Sequence, residues 1–160
     1  MPDSNLLGYK PLADAVDIDV LPSGNGIPDL HLIHLALQMG AWDRTRFDVT
    51  GIGGFTGGCA AMAVTRAQGL KGELQSWGYT LTQAASLHLL LSQTNCDYFE
   101  QVAPFEAYEF GTKQVFRPDE HGHVWANDLP GLGVEMDWDI LAPWVYASRE
   151  FRNPCMQLHL

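Results

Sequence analysis

The apolar and polar positions of this chain repeat one unit four times. Each unit is a short strand-like run, a polar residue, a turn of glycine or small residues, and a helical stretch. The first strand is expected at Ile18–Leu21, closing on Ser23, Gly24 and Asn25. Its helix runs from Pro28, a residue suited to a first helical turn, through Met39. The second strand is expected at Arg46–Val49 and carries Asp48. A helix from Thr56 to Gln68 follows, with Gly69 placed to close it. The third strand is Gly72–Gln75, turning at Ser76, Trp77 and Gly78 into a helix that Thr80 or Thr82 caps and that reaches Ser92. The fourth is Tyr98–Gln101, with Glu100 inside it, and a further helix at Leu12–Val16 precedes the first strand.

Repeated strand–helix units force parallel strands with the helices outside. The expected fold class is α/β, as part of a parallel (β/α) barrel. The strand-end polar residues are Asn25, Asp48, Gln75 and Glu100, recurring every 23 to 27 residues. A strand, a crossover helix and two loops need about that much chain. In such barrels the active site sits at the C-terminal strand ends. One such residue alone reads as a loop cap. Four at even spacing, two beside glycines, point to a site. After Glu100 the pattern breaks at Pro104 into irregular chain, a turn from Arg117 to Val124, and a Pro/Gly loop from Asn127 to Asp137. Two regions follow: residues 1–104 as a partial barrel, and 105–160 as a C-terminal strap and tail packing on it.

Composition narrows the partners. With 46% apolar and 18% charged residues, the 160-residue chain has material for a packed core. A net charge of −10 repels phosphate backbones and argues against nucleic acid. No apolar run approaches the ~18 residues of a membrane span. The opening Met-Pro-Asp-Ser-Asn lacks the basic and apolar regions of a signal peptide. Cys59, Cys96 and Cys155 show no disulfide or metal spacing, and read as reduced, mostly buried thiols of a cytoplasmic protein.

Other chemistry is weaker. His31 and His34 stand i, i+3 on an outer helix and read as surface histidines. His121 and His123 flank a glycine turn and are expected to face solvent. The glycines from Gly51 to Gly58 lack the lysine of a phosphate loop. Trp77 is placed either to wall a pocket or to pack between strand and helix. Trp144, Tyr146 and Phe151 are expected in packing or subunit contact.

Three stretches carry a resemblance. They are Phe47 to Gly57 (FDVTGIGGFTG), Glu73 to Gly78 (ELQSWG), and Leu129 to Asp137 (LPGLGVEMD). Together with the spacing they resemble the C-terminal barrel of the enolase superfamily, in its mandelate racemase/muconate lactonizing enzyme-like branch, over about residues 6–140. That resemblance implies strands five to eight of the barrel. It implies a Mg²⁺-dependent lyase or isomerase, in which a base removes a proton α to a carboxylate and the metal stabilises the enediolate. A small-molecule carboxylate such as a sugar acid is the implied substrate, and a homo-oligomer the implied assembly. Asn25 falls at the third metal-ligand position, as a neutral amide oxygen. Asp48 matches the sixth-strand Asp. Glu100 matches an eighth-strand Glu that can donate a proton to the substrate carboxylate.

Gln75 departs from the pattern. It stands where a seventh-strand His would pair with Asp48, and glutamine does not titrate. The dyad is therefore missing, and Asp48 and Gln75 are left to line the substrate. The Lys base and two metal ligands of the family lie upstream of the equivalent of Met1. A full barrel takes ~250 residues. A truncated gene is the expectation, with an isolated chain that is inactive. The alternative is a non-catalytic half-barrel that self-associates or binds a full-length relative.

Overall fold

The structure, a computed structural model, describes residues 1–27 and 29–149. Helix α1 (Leu6–Ala15) begins where the Asn5 side chain accepts from the Gly8 N–H at 3.2 Å. Helix α2 (Leu30–Gln38) is capped by Asp29, whose Oδ1 accepts from His31 N at 2.8 Å and Leu32 N at 3.0 Å. Its buried face is Ile33, Ala36 and Leu37, the i, i+3, i+4 spacing of one stripe. The Pro28 expectation lies outside the described residues.

Strands β1 (Arg44–Asp48) and β2 (Lys71–Gln75) pair in parallel, with Phe47 opposite Leu74 and Asp48 opposite Gln75. Strand period two gives each a face of its own. Thr45 and Phe47 are buried toward helix α3 (Gly54–Ala67), where the Thr65 hydroxyl donates to Thr45 Oγ1 at 2.8 Å. Arg44, Arg46 and Asp48 take the opposite face, beside Lys71, Glu73 and Gln75. One face therefore meets helices in a dry core, while the other is lined with charge and amide.

The outer strands differ from expectation. Ile18–Leu21 and Tyr98–Gln101 form no ladder, and Ile18 lies in a bend. At Val20 the Asp43 carboxylate takes the N–H at 2.8 Å, where a neighbouring strand would offer a carbonyl; Asp43 N returns to Val20 O at 2.8 Å. Pro22 then has no N–H to give. Beyond it one backbone bond remains, from Asp48 N to Gly24 O at 3.2 Å. On the other side Gly72 N donates to Asn95 O at 2.8 Å, and the contacts from Glu100 run through its side chain. Of the four expected strands, two are regular among the described residues, and single backbone bonds tie the flanking chain at Gly24 and Asn95 to them.

Helix α4 (Thr80–Leu91) follows β2. Neither Thr80 nor Thr82 caps it. Tyr79 holds that position without a side-chain bond, and Thr80 is buried inside the first turn, accepting from the Thr112 hydroxyl at 2.9 Å. Thr112 belongs to the following chain, which lays Phe116, Val124, Ala126, Leu132 and Val134 over Ala84 and Leu87. That cover explains why α4 is buried on both sides and not on one stripe. The strap region contains a 3-10 turn (Phe105–Tyr108) and short helical turns at Trp138–Leu141 and Ala142–Trp144, which the apolar pattern did not reveal. The turn at Asp119–Gly122 forms as expected.

Two glycines of the 51–58 run, Gly57 and Gly58, serve packing. A Cβ at Gly58 would stand 2.4 Å from Leu89 Cδ2, so α3 meets α4 closely there. Gly69 closes α3 at φ +73°, the left-handed conformation expected of it.

Candidate functional site

Arg46, Asp48, Gln75 and Glu100 meet on the inner face of the strands. Asp48 and Gln75 are placed side by side by the register of β1 and β2. Two residues before Asp48 on the same face of β1, the Arg46 guanidinium bridges two neighbours. Its Nη1 donates to Ser23 O at 2.6 Å and its Nη2 donates to Glu100 Oε1. Glu100 Oε2 accepts from the Ser76 N–H at 2.8 Å. Both Glu100 oxygens are thus in use as acceptors.

Gln75 is 4% exposed, and its Oε1 has no hydrogen-bond partner among the described residues. A buried carbonyl without a donor costs roughly 1–3 kcal/mol. Gln75 moves no proton, but it offers an acceptor in a dry position. Asp48 is half-buried, and its Oδ1 accepts from the Thr50 N–H and hydroxyl, each at 2.7 Å. Those bonds fix the carboxylate at the first residue of the glycine turn. Its other oxygen accepts no hydrogen bond among the described residues.

Asn25 stands apart. It is exposed, and its N–H lies 3.4 Å from Ser23 Oγ. It joins the others through the backbone of its turn. Among the described residues there is no group of three His, Cys, Asp or Glu side chains placed to hold a metal. One neutral amide oxygen does not fit Mg²⁺, which demands near-octahedral oxygen ligation and usually a carboxylate or two. The residues of this chain therefore do not by themselves form the magnesium site that the resemblance implies.

The remaining expectations sort plainly. His31, His34, His121 and His123 are exposed, as expected. Cys59 is exposed, contrary to the expectation of burial, because it lies on the outer side of α3; Cys96 is half-buried, and Cys155 and Phe151 lie outside the described residues. Trp77 is exposed and tilts against Tyr108 with ring centroids 6.0 Å apart. Trp144 meets Phe110 edge to face at 5.8 Å, while Tyr146 is fully exposed.

Two residues of the site escaped the strand-end reading. Arg46 was findable, since it is two residues before Asp48 and period two puts both on one face. Asp3 was not. It is buried, 20 residues from its partners, and accepts from Ser23, Gly24 and Gly26. Burial pushes its carboxyl up from the ordinary 3.8, but the bonds from Ser23, Gly26 and Gly24 outweigh that and hold it low. The sign follows by linkage. A depressed folded pKa gives stability that is present above about pH 4 and lost as pH falls through the folded value. The thermal midpoint should drop on acidification below pH 4, and D3N should flatten that part of the curve.

Residues 1–140 match the enolase C-terminal domain-like family. The chain belongs to that family. Within it, the enolase-like chain superposes on a Pseudovibrio sp. protein assigned to the mandelate racemase/muconate lactonizing enzymes, at 39% identity and a TM-score of 0.88. That match covers 92% of this chain and 39% of the other. A Roseobacter denitrificans protein assigned as a racemase is similar at 26% identity and a TM-score of 0.76, with 88% and 40% covered. D-glucarate dehydratase from Agrobacterium tumefaciens, complexed with magnesium, is similar at 26% identity and a TM-score of 0.76, with 89% and 38% covered. This enolase-like chain thus spans about two fifths of the length of these relatives. No curated protein matches it significantly. No helix among the described residues is long and apolar enough to cross a membrane.

Proposed function

We propose that this chain forms strands five to eight of the barrel of a Mg²⁺-dependent lyase or isomerase. The substrate is a sugar acid or other hydroxy acid, and the reaction abstracts a proton α to its carboxylate. Residues 1–104 supply the barrel portion and 105–160 the strap and tail. The observation that carries the reading is the inner-face row. Asp48 and Gln75 lie in register at one level, with the Arg46–Glu100 pair beneath them. The family membership and the similarity to racemase and dehydratase relatives support it.

The roles follow from the chemistry of each group. Gln75 presents an unpartnered acceptor, suited to a substrate hydroxyl. Asp48 binds an adjoining hydroxyl through its free oxygen. Glu100 and Ser23 hold Arg46 on the pocket floor. Asn25 lends one amide oxygen at the rim. The base that takes the α-proton lies outside this chain, because Gln75 cannot titrate. A cytoplasmic homo-oligomer is the setting in which this reading places the whole enzyme.

The test is turnover. Completed with the N-terminal portion of the Pseudovibrio relative, the barrel should act on some member of a hydroxy-acid panel in the presence of Mg²⁺. It should leave acids without an α- or β-hydroxyl untouched. Solvent deuterium at the α-carbon or loss of water reads the result, and inertness toward the whole panel would sink the reading.

One observation favours the alternative of a non-catalytic chain that self-associates or binds a full-length relative. Leu91, Tyr98 and Trp125 stand exposed around an open groove of about 710 Å³ between the end of α4 and the strap. On that reading the completed barrel stays inert while the chain sediments as a dimer.

A further inference from the structure

Asp3 takes five donors. Its Oδ1 accepts from Ser23 N at 2.8 Å and from the Tyr9 hydroxyl at 3.4 Å. Its Oδ2 accepts from Ser23 Oγ at 2.8 Å, Gly24 N at 3.2 Å and Gly26 N at 3.3 Å. The carbonyls of the same turn bond in the other direction. Ser23 O accepts from Arg46 Nη1 at 2.6 Å, and Gly24 O accepts from Asp48 N at 3.2 Å. Ser23 and Gly24 are therefore held on both sides, by N–H to Asp3 and by C=O to β1.

The turn is also seated without slack. Gly24 has φ +88°, and a Cβ there would stand 3.0 Å from Gln75 Cβ and 3.1 Å from Arg46 Cγ. A shift of the turn must then move the residues it touches.

We propose that Asp3 is a positioning residue for the strand-end site: through the 23–26 turn it sets where Arg46 and Asp48 stand. This deepens the reading of that row as a substrate site, and rests on it. The chemistry needs a carboxylate. Two oxygens that only accept can face backbone N–H groups on both sides. An amide in its place turns an NH₂ toward one set of those donors and gives up their bonds. The turn then relaxes, and Asp48 N and Arg46 Nη1 lose fixed partners.

The test uses the ¹⁵N-labelled full chain and D3N. The amides of Ser23, Gly24, Gly26 and Asp48 should exchange with solvent at least tenfold faster in the variant. The Arg46 guanidinium resonance should shift, while the β2 amides keep their wild-type rates. Tyr9→Phe removes only a hydroxyl donor and should leave the turn as it was. If the turn loosens in D3N while the Asp48 amide and the Arg46 resonance stay unchanged, Asp3 anchors the turn alone and the proposal is overturned. Should D3N fail to fold, exchange of the wild type in rising urea decides. The amides of Ser23, Gly24, Gly26 and Asp48 must open as one unit, and independent opening of Asp48 overturns the proposal. Neither readout needs turnover, so failure here is distinct from failure of the catalytic reading.

Discussion

Replacing Phe47 by alanine should remove about 3–5 kcal/mol of stability, the usual cost of truncating a fully buried phenylalanine. Phe47 is 0% exposed, at the centre of β1, opposite Leu74. It lies over the surface of α3 that Gly58 leaves open, where a Cβ would stand 3.5 Å from the ring. Phe47 belongs to one core cluster with Leu74, Leu89 and Met62, which are themselves fully buried and have little room to collapse inward. Total stability of a domain is about 5–15 kcal/mol, so the loss consumes much of it. Phe47 also precedes Asp48, so the same change unseats the site. Urea unfolding followed by circular dichroism measures this. The midpoint should fall with the slope unchanged, and a loss below about 1 kcal/mol would contradict a packed core behind β1.

Gly57→Ala should cost about 3 kcal/mol or more, at the upper end of overpacking. A Cβ at Gly57 would stand 1.9 Å from Ile52 O and 2.9 Å from Ile52 C. Both are backbone atoms, so no rotamer change relieves the contact. The turn from Asp48 to α3 must move, and Thr50, which holds the Asp48 carboxylate, moves with it. Gly58→Ala meets only the tip of Leu89, a side chain that can turn aside, and should cost less. Gly53→Ala meets nothing within 4 Å but sits at φ +95°, and should cost about 1–2 kcal/mol from backbone conformation alone. Thermal melts of the three variants should rank Gly57 as the most damaging. Equal shifts would mean that the close approach to Ile52 does not constrain the turn.

The legible part of this molecule is the part written in local pattern. Helices α2, α3 and α4 and strands β1 and β2 announce themselves through spacing, and their ends moved by one or two residues. Spacing placed Asp48 and Gln75 each at a strand end, and the register of β1 and β2 sets them side by side. The outer strands were not legible in full, because Asp43 and Glu100 use side chains where a ladder uses backbone. A periodic pattern carries no sign of that exchange. The Thr80 hydroxyl was drawn away from capping by Thr112, a partner 32 residues on. Asp3 shows the limit most clearly. Nothing in Met-Pro-Asp-Ser-Asn marks its carboxylate as the hub of a turn that begins 20 residues later.

The row at the strand ends also changed in weight. Asp48 and Gln75 lie at one level by strand register, Asp48 half-buried and Gln75 buried. Glu100 turned out to be an acceptor twice over, committed to Arg46 and to Ser76. Asn25 lies at the rim, tied to the row through Gly24 and, at one remove, through Asp3. Of the glycines from 51 to 58, Gly57 and Gly58 allow close approach, while Gly53 and Gly54 take positive φ in open space.

The most direct measurement is kcat of the completed barrel on its hydroxy acid, wild type against Asp48→Asn. The substitution keeps the shape and removes the charge. A loss of at least about 100-fold in kcat is expected, the scale of one lost transition-state interaction, with an unchanged melting temperature. Turnover that survives Asp48→Asn at the wild-type rate would contradict it.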